Sequence, residues 1–193
     1  MTKKLVTERS LRALRTKKKL YQSATKLIEK YGYDNVTIED ICNKSGVSVG
    51  AFYHYYKSKT DIIVEFFRKI DDYYIETVTP ELTGKASEDI ETFFRYYAKF
   101  HVDQGIDHTN RILRIEGDFF LDKSRYMYTK LRELITDAQA EGSFDKDFDP
   151  DQIVDYLIVL ARGLLFDWAL SHGEHDLGGK METFIKFAKR SFI

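Results

Sequence analysis

Cysteine is nearly absent from this chain. Cys42 is the only thiol in 193 residues, which excludes an internal disulfide framework and fits a reducing compartment. Proline is almost as scarce: Pro80 and Pro150 are the only two, so few positions lose the backbone donor that a helix needs. Long apolar runs are missing too. The most apolar stretch, residues 156–170, is interrupted by Arg162, Gly163 and Asp167, short of the roughly 20 apolar residues of a membrane span. No membrane partner is expected. The basic N-terminus is not followed by an apolar stretch, so no signal peptide is read, and the expected location is the cytoplasm. There is no glycine-rich phosphate loop and no Ser-His-Asp order with a nucleophile-elbow glycine pattern. No enzyme and no cofactor are expected. His172-Gly173-Glu174-His175 supplies two histidines three apart, too few donors for a metal site, and none is assigned.

What is present is apolar and charged in the proportions of a globular protein, 43% and 32%. The net charge of −1 conceals a split. Residues 1–60 hold 13 Lys/Arg against 5 Asp/Glu, leaving 17 against 26 for the remainder. A basic head on an acidic body is the pattern of a polyanion-binding module attached to something else. Hydrophobic spacing is helical almost throughout, beginning with Leu20, Ala24, Leu27, Ile28 and Tyr31. Residues before about Thr16, including Lys3, Lys4, Arg9, Arg12 and Arg15, read either as a flexible arm or as an additional helical turn. A fourth helix should open at Ser58 with Asp61 in the capping-box position and run to about Val78, stopped by Pro80. Further helices are expected near 87–104, 108–121, 123–140, 150–171 and 179–192, punctuated by Gly105, Gly142, Asp149-Pro150 and the glycines at 173, 178 and 179. No strand-like alternation of useful length appears.

The densest signal lies between Tyr31 and Lys59. Thr37 with Asp40 marks a helix start, Ile38 and Ile41 give that helix an apolar face, and Ser45-Gly46-Val47 breaks it. Ser48 can cap a second short helix whose residues Val49, Gly50, Tyr53 and His54 point away from Val47 and Phe52. This is the layout of a helix-turn-helix, in which the second helix enters the major groove. The block from about Lys19 to Ile62, with Tyr31-Gly32-Tyr33, Thr37-Ile38-Glu39-Asp40-Ile41, Gly46-Val47-Ser48 and Phe52-Tyr53-His54-Tyr55-Tyr56-Lys57-Ser58-Lys59 at fixed spacing, resembles the TetR family of bacterial transcriptional regulators. Cys42 and Ser45 stand where that family mostly has alanine, Val49 where it often has a basic or polar residue, and Tyr56 where it usually has phenylalanine. Val49 changes the groove-facing chemistry, so the operator is not carried over.

Phosphate contacts are expected from Thr37, Ser48, Tyr53, Tyr55, Lys57 and Lys59, the last at the position the resemblance assigns to the DNA backbone. Base reading falls to Val49, Gly50, Ala51 and His54, with His54 also able to reach a phosphate. In the remainder, aromatic residues at helical spacing are either core or the wall of a ligand cavity. The candidate effector-binding residues are Phe93, Tyr97, Phe100, His101, Arg114, Asp118 and Phe166. Residues 150–171 are apolar around nearly the whole helix, which must then be buried on more than one side. One side can face its own core and the other a second copy, or the helix can be wholly buried in a monomer. The resemblance implies the former, with the last two helices forming a four-helix dimer interface, and Leu157, Leu160, Leu164, Trp168, Phe184 and Phe187 are the dimerisation candidates.

The expected fold is therefore all-α with about nine helices. A three-helix DNA-binding head at 1–60 joins a helical effector-binding and dimerisation body at 61–193. The expected function is a ligand-responsive regulator, a repressor by resemblance, that binds a palindromic double-stranded DNA operator as a homodimer and is released by a small molecule. An effector-independent DNA-binding dimer and an enzyme with a DNA-localising head are the alternatives.

Overall fold

Leu20, Ala24 and Ile28 recur every four residues, and this stripe is the buried face of the first helix, α1 (Glu8–Tyr31). The computed structural model describes residues 8–113 and 122–191. The segment before Thr16 is helical from Glu8 onward, which decides between the two readings of that part of the arm. The head continues with α2 (Ile38–Ser45) and α3 (Val49–Tyr55).

Each start and stop in the head has a local cause. Asp40 N–H donates to Thr37 Oγ1 (3.1 Å) while Thr37 N–H donates to Asp40 Oδ2 (2.9 Å), a reciprocal capping box. α2 ends because Gly46 adopts φ +67°, a left-handed conformation that costs glycine nothing, and Val47 N–H then reaches the Cys42 carbonyl at 3.1 Å. Ser48 Oγ accepts from Ala51 N–H (3.2 Å) and opens α3. Ile41, Cys42 and Phe52 fill the space between the helices. Burial pushes the Cys42 thiol up, so it is an inert packing group.

The fourth helix, α4 (Lys59–Tyr73), opens at Ser58, whose Oγ accepts from Asp61 N–H at 3.3 Å, while Asp61 Oδ2 accepts from Lys57 N–H at 2.7 Å. It does not stay α-helical to Val78 as the periodicity suggests. Tyr74–Val78 form a π-helical turn and Thr79–Glu81 a 3-10 turn containing Pro80. Proline cannot donate to the carbonyl one turn back. Thr79 closes the widened turn with its own hydroxyl, donating to the Tyr74 carbonyl (3.0 Å).

The described residues divide into two compact units, one ending at Phe67 and the other beginning at Arg68. In the second unit α5 (Ala86–Gln104) lies against α7 (Tyr126–Ala140) and α9 (Leu177–Ser191), and α8 (Pro150–Leu170) packs on α7 and α9. α6 (Ile106–Leu113) covers α5 and α8. The sequence reading carried α6 on to residue 121, but 114–121 lie outside the described residues. Two polar devices, one buried and one half-buried, fix the register. Asp89 accepts from Thr83 N–H (2.7 Å), Thr83 Oγ1 (3.0 Å) and Gly84 N–H (2.9 Å), tying the incoming loop to α5. Asp71 accepts from Arg125 Nε (3.1 Å) and Nη2 (3.2 Å) and from Met127 N–H (3.2 Å), pinning the start of α7. A half-buried fork of this kind adds little net stability but selects one docking geometry. All regular structure among the described residues is helical, and no helix there is long and apolar enough to cross a membrane.

Candidate nucleic-acid interface

Val49, Gly50, Tyr53, His54 and Lys57 follow the helical period and are all exposed, forming one face of α3 and of the turn after it. Phe52 and Tyr56 alternate with them and are buried, anchoring α3 from beneath. Ala51 and Tyr55 lie half-buried at the margins of the face. The Tyr53 ring packs edge-on against Phe52 (5.5 Å between centroids), and His54 stands edge-on to Tyr55 (5.1 Å), so two neighbouring rings brace the exposed hydroxyl and imidazole. Lys57 presents an ammonium that makes no ion pair with a described residue.

Gly50 is informative because the head does not need it. A Cβ built there meets nothing within 4 Å, and its φ is not left-handed. Glycine inside a helix costs about 1 kcal/mol relative to alanine, and the missing Cβ leaves the backbone open to close approach from outside the chain. Gly50→Ala is expected to raise the melting temperature of the protein while weakening its binding to operator DNA. Thermal unfolding and a binding titration on the same sample check this, and a variant that gains stability with no loss of affinity would remove Gly50 from the interface.

Two of the proposed phosphate contacts are corrected by their surroundings. Lys59 is not a free point charge. Its Nζ donates to the carbonyls of Tyr33 (2.5 Å) and Val36 (2.8 Å) and lies 4.0 Å from the Tyr33 ring centre. It fastens the start of α4 to the turn between α1 and α2, assisted by the Tyr33 and Thr60 hydroxyls at 2.8 Å. Lys59→Met is therefore expected to destabilise the head by about 1–3 kcal/mol, the cost of stranding the carbonyls it serves. Urea unfolding measures the loss, and unchanged stability would return Lys59 to the surface. Thr37 is likewise committed, since its hydroxyl proton goes to Asp40 Oδ2 at 2.6 Å. That bond, with the Thr37 N–H, holds the Asp40 carboxyl below the usual carboxylate range. Ser48, whose Oγ only accepts in the described bonds, keeps its proton available.

A capped pair of short helices, a groove-facing row of small and hydrogen-bonding side chains and a basic surround form a DNA-reading element. Residues 20–66 match the family model described as bacterial regulatory proteins, tetR family. The transposon Tn10 TetC protein of Escherichia coli is 27% identical over 182 residues, 88% of this chain and 87% of that one. Residues 20–66 are thus a DNA-binding segment of the TetR type. The HTH-type transcriptional repressor KstR2 of Mycolicibacterium smegmatis is 24% identical over 149 residues, 72% of each chain. The regulator FadR of Bacillus subtilis, solved in complex with stearoyl-CoA, shares the fold with a TM-score of 0.68 over 91% of this chain and 99% of its own, at 14% identity.

Outside that segment the remaining candidates fall into different environments. Phe93, Tyr97 and His101 lie buried along α5, and Phe100 is half-buried beside them. Phe93 stacks on Tyr74 (4.6 Å) and Phe100 on Tyr73 (5.0 Å), so the π-helical turn supplies one wall of this aromatic cluster. The His101 Nδ1 and Thr109 Oγ1 are 3.2 Å apart. Burial, with His108 nearby, pushes His101 down to about 3, so it stays neutral near pH 7. Burial also pushes Tyr97 up to about 12, against the pull of Arg162. Tyr74, Tyr128 and the Arg125–Asp71 fork complete the surroundings. Sequence reasoning missed them because their convergence is tertiary. Arg114 and Asp118 lie outside the described residues.

Phe166 is no cavity wall, being 54% exposed on the outer face of α8. The dimerisation candidates also divide. Leu157 and Trp168 are buried (1% and 6% exposed) in the protomer's own core, so they are not contact residues for a second chain. Leu160 (52%) and Phe187 (63%) are exposed, with Leu164 and Phe184 half-buried between. Tyr156, Val159 and Leu170 are exposed apolar residues that the sequence reading left off this list. The helical period held the missing signal: 153, 157, 161, 165 and 168 turn inward while 156, 159, 160, 163, 166 and 170 turn outward. His175 hydrogen-bonds Ser171 through Nδ1 (2.8 Å) and stands 3.4 Å from Asp167, a surface network joined by Lys180.

Proposed function

We propose that the chain is a homodimeric, ligand-responsive repressor whose two heads bind a palindromic DNA operator in the cytoplasm. Residues 1–60 would serve DNA and 61–193 dimerisation and effector binding. The observation that carries the DNA reading is the exposed face of α3, with Val49, Gly50, Tyr53 and His54 presented outward on a capped and buried support. Val49 and Ala51 can meet thymine methyl groups, and His54 a base edge. Tyr53, Tyr55, Ser48 and Lys57 would hold phosphates.

Two heads of a two-fold dimer place their reading helices about one DNA turn apart. The outer face of α8, with Phe187 of α9, supports a second copy as its partner. The aromatic cluster around Phe93, Tyr97, Phe100 and His101 supports an apolar effector, and the stearoyl-CoA complex of FadR is a relative's example. Repression is supported by the relatives named repressors, KstR2 among them. A ligand releases DNA only if it binds the non-competent form more tightly than the DNA-bound form, by the coupling free energy.

The test is binding of the purified protein to DNA from immediately upstream of its own gene against a random fragment, at two salt concentrations. Tight binding that resists competitor DNA, on a fragment with an inverted repeat, is the expected result. Equal, salt-labile binding to both, followed by failure of a selection from random DNA to yield a preferred sequence, would overturn it.

A further inference from the structure

The matched segment begins at residue 20, yet α1 begins at Glu8. The intervening turns carry Arg9, Arg12, Arg15, Lys18 and Lys19, every one exposed. None of the five makes an ion pair with a described residue, whereas the half-buried Lys17 pairs with Glu65 (2.7 Å). At the helical period Arg12, Arg15, Lys19, Lys26 and Lys30 share the side opposite the buried Leu20, Ala24 and Ile28. The stripe runs about 27 Å at roughly 1.5 Å per residue. Only Glu8 and Glu29 are acidic in the whole helix. Like charges three and four residues apart destabilise a helix, so this arrangement is at its best only when a polyanion lies along it.

Position points the same way. Lys17 stands 5.4 Å from the Tyr56 ring, and Tyr56 is the residue that ends α3. The helix therefore passes the end of the DNA-reading element at Lys17, and the nine residues before it continue about 13 Å further. We propose that this amino-terminal extension of α1 is a second DNA contact, in which Arg9, Arg12 and Arg15 bind phosphates flanking the half-site read by α3. The inference rests on the DNA-binding reading above and lengthens the footprint beyond the helix-turn-helix. It adds affinity and salt dependence without sequence information, because guanidinium groups on phosphates carry none.

The test compares the full chain with the triple variant Arg9→Gln, Arg12→Gln, Arg15→Gln on operator and on random DNA across a salt series. Each phosphate contact contributes about 0.9 to the slope of log K against log salt. The triple variant should lose roughly 2–3 from that slope per head. It should also protect a shorter footprint at both outer flanks and keep its preference for operator over random DNA. The charge-conserving variant with lysine at all three positions should retain the slope. Circular dichroism checks that helix content is unchanged, as glutamine is a good helix former. Identical slopes and footprints in the triple variant and the unsubstituted protein overturn the extension. If the unsubstituted protein shows no sequence preference but the triple variant still loses slope on random DNA, the operator reading fails and the extension stands.

Discussion

Aspartate at both Leu160 and Phe166 is expected to turn the proposed dimer into a monomer and to remove tight operator binding. Both side chains are more than half exposed in the single chain, so the protomer's own fold should change by little, within about 0.5 kcal/mol per surface substitution. In a dimer the same positions would sit at the centre of the apolar face, where four carboxylates would be brought together without partners. Burying such charges costs several kcal/mol each. Loss of dimerisation removes the second head, whose tethered effective concentration multiplies affinity by about 10²–10⁴. Sedimentation velocity gives the association state, and a titration on operator gives the affinity. A variant that remains dimeric with unchanged operator affinity would show that this face is not the interface. Leu157→Ala is the contrasting control. Leu157 is buried in the protomer, so this change should cost about 2–5 kcal/mol of stability through the cavity it leaves.

Tyr53→Ala combined with His54→Ala is expected to lower operator affinity by about a thousandfold or more. Each lost contact costs roughly 1–3 kcal/mol in each of two heads. Both residues are exposed, and their removal leaves the buried Phe52 and Tyr56 in place, so helix content and dimerisation should hold. Because the Tyr53 ring also braces Phe52, Tyr53→Phe separates the hydroxyl from the ring: loss with phenylalanine assigns the effect to the phosphate contact. Fluorescence anisotropy on operator and random DNA provides the readout. Equal affinity in the double variant and the unsubstituted protein would place the reading face elsewhere. Val49→Ser should change the preferred base at one position with little effect on random-DNA binding, since only the methyl contact is altered.

Much of this architecture was legible in local pattern. The Thr37–Asp40 capping box, the Gly46 turn and the Ser48 cap are all formed by residues within three or four positions of each other, so spacing alone discloses them. The same holds for the start of α4 at Ser58 and for the break at Pro80. The conversion of residues 74–78 to a π-helical turn was less accessible. It depends on Thr79, whose N–H and hydroxyl both donate to the Tyr74 carbonyl, and on the Tyr126 hydroxyl 2.8 Å from Thr79, a contact across 47 positions.

The sequence by itself determined the all-helical class and the helix-turn-helix with its outward row from Val49 to His54. These follow from short-range capping, turn chemistry and the helical period. Tertiary structure alone decided which lysine is free and which is a clamp, for Lys57 and Lys59 look alike in sequence and only one has carbonyls within reach. It also decided which half of an apolar helix is core. Leu157 and Leu160 have the same chemistry, and only the packing of α7 and α9 against α8 covers one and leaves the other bare. A side chain's identity sets what it can do, but its partners, brought from distant positions by the fold, decide what remains for it to do.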